Sequence, residues 1–135
     1  MKEIWELWHP QGQVIYRSSM ISVTDDDKGL TVELSNEKYE NSDIIKINFY
    51  SGALSYTLLY GAFIEKLRDN LIQEYGKSFF QESSCFKIRN SSYVEWASLQ
   101  SYEMIRLPRT QHFCIFTSHM IVHAITGLEP RIEFR

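Results

Sequence analysis

Four residues, His112, Cys114, His119 and His123, form the one cluster whose types suit a metal site or a cysteine nucleophile. An imidazole can stabilise a thiolate beside it or share a metal ion, and either use requires these side chains on one face of the fold. They fall in two apolar runs, Gln111 to Thr117 (QHFCIFT) and Met120 to Thr126 (MIVHAIT), separated by Ser118-His119. A reversal at Ser118-His119 brings Cys114 directly opposite His123, close enough for a thiolate–imidazolium couple, whereas a slip of one residue separates them. The neighbours Phe113, Ile115, Phe116, Ile121, Val122 and Ile125 describe a central-strand setting. Apolar surroundings raise a thiol's pKa, so the simpler reading is a packed cysteine with hydrogen-bonded histidines. The alternative is a ligand-binding or enzymatic pocket that holds His112, Cys114 and His123. No metal is expected, because the close-spaced ligand pairs of a zinc finger are absent.

Other candidates are weaker. Asp25, Asp26, Asp27 and Gly29 look like a calcium loop only until the flanks are read: the run lies between two strands, and a solvated hairpin turn explains it. Glu65, Asp69 and Glu74 read as the wet face of a helix. No GxSxG elbow occurs, and Gly61 and Gly76 stand alone, so phosphate-cradling loops are absent. No catalytic residue and no cofactor is assigned on this basis. Aromatic residues are abundant instead: Trp5, Trp8, Tyr16, Tyr50, Tyr56, Tyr60, Tyr93, Trp96 and Tyr102 exceed what one small core needs fully buried. Tryptophan and tyrosine suit interfaces because they combine large area with a polar tip. The Ser51 to Tyr60 stretch, with Tyr50, is the expected partner-binding patch, through Tyr50, Leu54, Tyr56, Leu59 and Tyr60.

The elements that must position these residues follow from periodicity. Ile4, Trp5, Leu7 and Trp8 make an opening strand that stops at His9-Pro10-Gln11-Gly12. Extended chain resumes over Gln13 to Val23 with a break near Ser18-Ser19, turns at Thr24 to Gly29, and returns through Leu30, Val32 and Leu34. After a polar loop over Ser35 to Asp43, Ile45, Ile47 and Phe49 alternate in a further strand, and Ser51 to Tyr60 fits either an extended edge or a packed loop. Gly61 to Tyr75 is a helix, because Phe63, Ile64, Leu67, Leu71, Ile72 and Tyr75 recur at three and four residues, and Gly76 ends it. Cys85 to Arg89 alternates as a strand, and Asn90, Ser91 or Ser92 can cap a short helix reaching Ser101. On that helix Tyr93, Trp96, Leu99 and Gln100 share one side and are expected to press it onto a sheet. Pro108 breaks the chain before the last hairpin, and Ile132 and Phe134 mark a final strand.

Totals bound the answer further. The 135 residues, 44% apolar and 14% aromatic, suffice for one core, and no linker or repeat divides the chain. A net charge of −3 disfavours nucleic acid as a partner. Met1-Lys2-Glu3-Ile4-Trp5-Glu6 places acids where a leader needs an apolar run, and no stretch approaches about 18 consecutive apolar residues; a cytoplasmic protein without membrane contact is expected. Cys85 and Cys114 read as reduced, buried thiols.

The strand Ile45-Lys46-Ile47-Asn48-Phe49, the helix after it, the run Phe86-Lys87-Ile88-Arg89-Asn90-Ser91-Ser92-Tyr93-Val94-Glu95-Trp96 with Gln100-Ser101, and His112-Phe113-Cys114-Ile115-Phe116-Thr117 carry a resemblance. Together they resemble small bacterial α+β proteins similar to immunity proteins of polymorphic and contact-dependent toxin systems. That resemblance implies a domain that binds one protein partner and performs no reaction. The expectation is thus a single α+β domain over residues 1–135, an antiparallel sheet of about seven or eight strands carrying helices at 61–75 and 92–101. Its expected role is non-enzymatic protein binding, with a homo-oligomer joined through an edge strand as a further possibility.

Overall fold

The computed structural model describes residues 2–36, 44–50, 53–105 and 109–134, with the backbone alone at Ile21. In chain order the strands are β1 (Ile4–Leu7), β2 (Ser19–Asp26), β3 (Gly29–Ser35), β4 (Ile44–Phe49) and β5 (Ser55–Tyr60). Helices α1 (Ala62–Tyr75) and α2 (Lys77–Gln81) follow, then β6 (Cys85–Arg89), α3 (Ser92–Gln100), β7 (Gln111–Phe116), β8 (Met120–Thr126) and β9 (Arg131–Phe134). The protein is α+β, and every strand pair is antiparallel. The strands do not form one sheet, however: five make a sheet in the order β1-β6-β7-β8-β5 and four make a second in the order β2-β3-β4-β9.

The division follows from sequence pattern. In β3 and β4 every second residue is buried, so each offers one apolar face. A sheet of such strands is completed by stacking that face on another sheet. β7 and β8 are buried almost without interruption because both of their faces are covered. Leu30, Val32, Leu34, Ile45, Ile47 and Phe49 of the smaller sheet meet Phe113, Ile115, Val122 and Ala124 of the larger one in a common core. Phe113 is central to it, edge-on to Trp8 at 4.8 Å and to Phe49 at 6.0 Å.

The opposite face of the larger sheet carries the helices. α1 and α2 cover Trp5, Phe86, Ile88, Cys114, Phe116 and Ile121 with Ile64, Leu71 and Phe80. α1 keeps its expected span, between Gly61 at φ +48° and Gly76 at φ +92°, conformations that suit glycine. Phe63 departs from the expected stripe and is exposed, one position before the buried Ile64. α2 was not apparent in the sequence. It is anchored by Phe80 and by Arg17, whose guanidinium lies over Phe80 and Phe116 and donates to the Phe80 and Ser83 carbonyls.

α3 departs most from expectation. Its buried residues are Val94 and Ala97, packed with Ile125, while Trp96, Leu99 and Gln100 face away from the sheet. Small Ala97 lets the helix sit close to the strands, and that phase leaves the large side chains on the outside. The open stretch before α1 resolves as β5, an edge strand paired only with β8. The break expected near Ser18-Ser19 is a register shift between Met20 and Ser22. The loop expected over Ser35 to Asp43 lies outside the described residues beyond Asn36, as do Ser51, Gly52 and Pro108.

Candidate functional site: a histidine pair between two helices

The β7–β8 hairpin turns at Ser118-His119, and its register places Cys114 opposite His123 and His112 opposite Ile125. Alternation then puts His112, Cys114, Ile121 and His123 on the helix-bearing face. The backbone neighbours Cys114 and His123 are therefore adjacent, as expected, but no thiol–imidazole couple forms. The Cys114 side chain packs into the apolar cluster beneath α1, and burial pushes its thiol well above the ordinary range. Cys85 is fully buried too and its thiol is raised by the same cause, so burial disfavours the thiolate form at both cysteines. The two cysteines stay free: they lie on neighbouring strands one residue out of step, and so point to opposite faces of the sheet.

The side chain that His123 meets is its diagonal neighbour, His112. His112 Nε2 and His123 Nδ1 are 2.8 Å apart, and the rings lie 5.0 Å between centroids. On its other side His112 Nδ1 is 2.7 Å from Ser91 Oγ. Ser91 is the N-cap of α3, where its hydroxyl oxygen accepts the Val94 N–H at 3.1 Å. Cap and histidine pair are thus one hydrogen-bonded chain. It has two consistent proton arrangements: Ser91 donates to His112 and His112 to His123, or His123 donates to His112 and His112 to Ser91. Burial drives both imidazoles toward the neutral form, His112 down to about 3, helped by His123, and His123 to about 4. Neighbouring Glu3 opposes the shift at His123.

Around the pair lies a hollow of about 300 Å³ between α1 and α3. Its walls are Leu67 of α1, Tyr93 of α3, Trp5 of β1 and Thr57 of β5, and the histidines line it together with Glu3. Tyr93 stands edge-on to His112 at 5.4 Å, and Trp5 edge-on to His123 at 6.3 Å. The Tyr93 hydroxyl bonds Ser55 Oγ at 2.5 Å and accepts from Thr57 Oγ1 at 3.2 Å, which ties α3 to the β5 edge. Glu3 Oε2 accepts both the amide N–H and the hydroxyl of Ser92 at 2.9 Å, fixing a carboxylate at the start of α3. Among the described residues no group of three histidine, cysteine, aspartate or glutamate side chains is placed to hold a metal ion.

The sequence-predicted residues separate accordingly. His112 and His123 meet; Cys114 is buried away from the hollow; His119 lies at the hairpin turn, exposed and apart from them. Of the expected partner patch, Tyr50, Leu54, Tyr56 and Tyr60 are exposed, whereas Leu59 is half-buried against the cluster beneath α1. The Tyr56 hydroxyl donates to Asp25 Oδ2 at 3.2 Å, and Arg131 lies over the Tyr50 ring at 4.0 Å. Ser91, one of the three residues offered as the α3 cap, is that cap; sequence reasoning missed Glu3, the outward face of α3 and the bond between Ser91 and His112. A signal for the histidine pair was available, since the register that aligns Cys114 with His123 also puts His112 diagonal to it. No protein-family model, no curated protein and no solved structure matches the chain.

Proposed function

We propose that this chain is a non-enzymatic protein-binding module that engages its partner through the outer face of α3 and the neighbouring β5 edge. The observation that supports this is a run of large apolar side chains left in solvent. Trp96 is 52% exposed, Leu99 67%, Tyr102 96% and Met104 84%, all within one short helix and the turn after it. Isolated exposed apolar residues are ordinary, but a cluster containing tryptophan and tyrosine is the usual composition of an interface centre. The surface continues onto β5: Trp96 lies 5.8 Å from the Tyr93 ring, whose hydroxyl bonds Ser55 and Thr57. Leu54, Tyr56 and Tyr60 are exposed on the same edge, Tyr56 and Tyr60 on the opposite face of the strand from Ser55 and Thr57, where Tyr56 meets Asp25 of β2.

The finer reading, neutralisation of a cognate toxin in a bacterial cytoplasm, draws on the resemblance to immunity proteins. Compatible with it, no helix among the described residues is long and apolar enough to cross a membrane. The test is capture of partners from a native lysate by the wild-type chain and by Trp96→Ala/Leu99→Ala. A stoichiometric partner retained by the first and lost by the second, with unchanged melting temperature, is the expected result. Equal recovery by both chains would remove α3 from the interface.

A further inference from the structure

The hollow between α1 and α3 borders the proposed partner surface at Tyr93 and Thr57 but has a chemistry that the exposed apolar residues of α3 do not share. Glu3 is the one acidic residue among those lining it, and burial disfavours the charged form of both histidines. The cation next in sequence, Lys2, is occupied elsewhere, 2.5 Å from Glu74 Oε1. One Glu3 oxygen takes both bonds from Ser92, and its other oxygen has no hydrogen-bond partner among the described residues. Trp5 and Tyr93 bring aromatic rings to the same space, and His123 retains Nε2 once Nδ1 is committed to His112. A carboxylate, two electron-rich rings and an uncharged imidazole nitrogen together favour a positively charged donor and disfavour an anion. At about 300 Å³ the space suits a compact group.

We infer that the Glu3–Trp5–Tyr93–His123 hollow is a binding site for a protonated aliphatic amine. The ammonium sits against the Glu3 carboxylate and beside the Trp5 and Tyr93 rings, and donates to His123 when the histidine chain is in the arrangement that leaves Nε2 a lone pair. Two sources share this chemistry, a free small amine and a lysine side chain of another protein.

The experiment is a titration of the full-length chain at pH 7, followed by the side-chain nitrogen signals of His112 and His123 in long-range ¹H–¹⁵N spectra. The probes are n-butylammonium, an Nα-acetyl-lysine amide, and butyrate as the charge-reversed control. Saturable shifts at both histidines with the two amines and none with butyrate are expected. Tighter binding of the blocked lysine assigns the source to protein, and tighter binding of butylammonium to a small molecule. Glu3→Gln keeps an oxygen for Ser92 but loses the charge, and is expected to weaken amine binding about tenfold while the amide spectrum stays folded. A response to butyrate equal to that of the amines, no saturable response to any probe, or unchanged affinity in Glu3→Gln would each overturn the site.

Discussion

The outer face of the four-stranded sheet and the helix-bearing face of the five-stranded sheet both carry polar side chains, yet those side chains do different things. On the first, β3, β4 and β9 set Glu33 opposite Lys46, Lys46 opposite Glu133, and Thr31 opposite Asn48, a ladder open to water. The hollow above it is larger, about 520 Å³, but it is walled by charges of both signs that compensate one another across the strands. On the second face the polar groups are few and mostly buried, each held by a named partner: Ser91, His112, His123 and the Tyr93 hydroxyl. Among the described residues no buried side-chain nitrogen or oxygen is left without one. Volume therefore does not mark a site in this fold. The informative difference is that solvent can replace a lost partner on the ladder and cannot do so around the histidines.

The sharpest way to separate the two faces is to remove packing from one of them. Phe86 is fully buried between Trp5 and Phe79, with ring centroids at 5.7 Å and 5.4 Å, so Phe86→Ala is expected to cost about 3–5 kcal/mol in denaturant unfolding. Titration of the histidine pair comes next. Their folded pKa values, about 3 and 4, lie below the ordinary 6.5, so the unfolded chain takes up protons first as pH falls. Stability contributed by their neutral forms is complete above about pH 6.5 and declines as pH falls toward 4, by at most roughly 1.4 kcal/mol per histidine per pH unit. Urea midpoints measured between pH 7 and pH 4.5 should show this slope, and His112→Asn/His123→Gln should flatten it; an unchanged slope would mean that the pair is already charged in the fold. On the ladder, Asn48→Ala removes the 2.8 Å bond to Thr31 Oγ1 and is expected to cost no more than about 1 kcal/mol. Trp96→Ala should be smallest of all in stability, within about 0.5 kcal/mol, because the side chain has little packing to lose.

The same contrast explains what could be read in advance. Leu30, Val32 and Leu34 alternating with Thr31 and Glu33 declare a strand with one wet face, and the structure has it so. The α1 helix was legible from its repeat and from Gly76 at its end. Strand periodicity could also place the turn at Ser118-His119 and the opposition of Cys114 and His123, because both are local consequences of one hairpin. Two features were not local. Glu3 reaches α3 across 89 positions of chain, a contact that exists only after β1 has paired with β6. The phase of α3 was misjudged because its largest residues were taken as its anchors, whereas the packing surface is set by Val94 and Ala97. Division into two sheets escaped notice for a similar reason: a period of two says that a face is apolar but not what it will lie against.

The hydrogen bond between Ser91 and His112 makes the start of α3 an indicator for events at His123. A donor arriving at His123 Nε2 fixes that ring as an acceptor there, which obliges its Nδ1 to donate to His112 and the proton on His112 to turn toward Ser91. The serine would then accept twice, and its own hydroxyl proton would have to find another outlet. The nitrogen resonances of His112 and the amide of Val94 should consequently move with an occupant that neither of them touches, giving the histidine chain a built-in remote gauge.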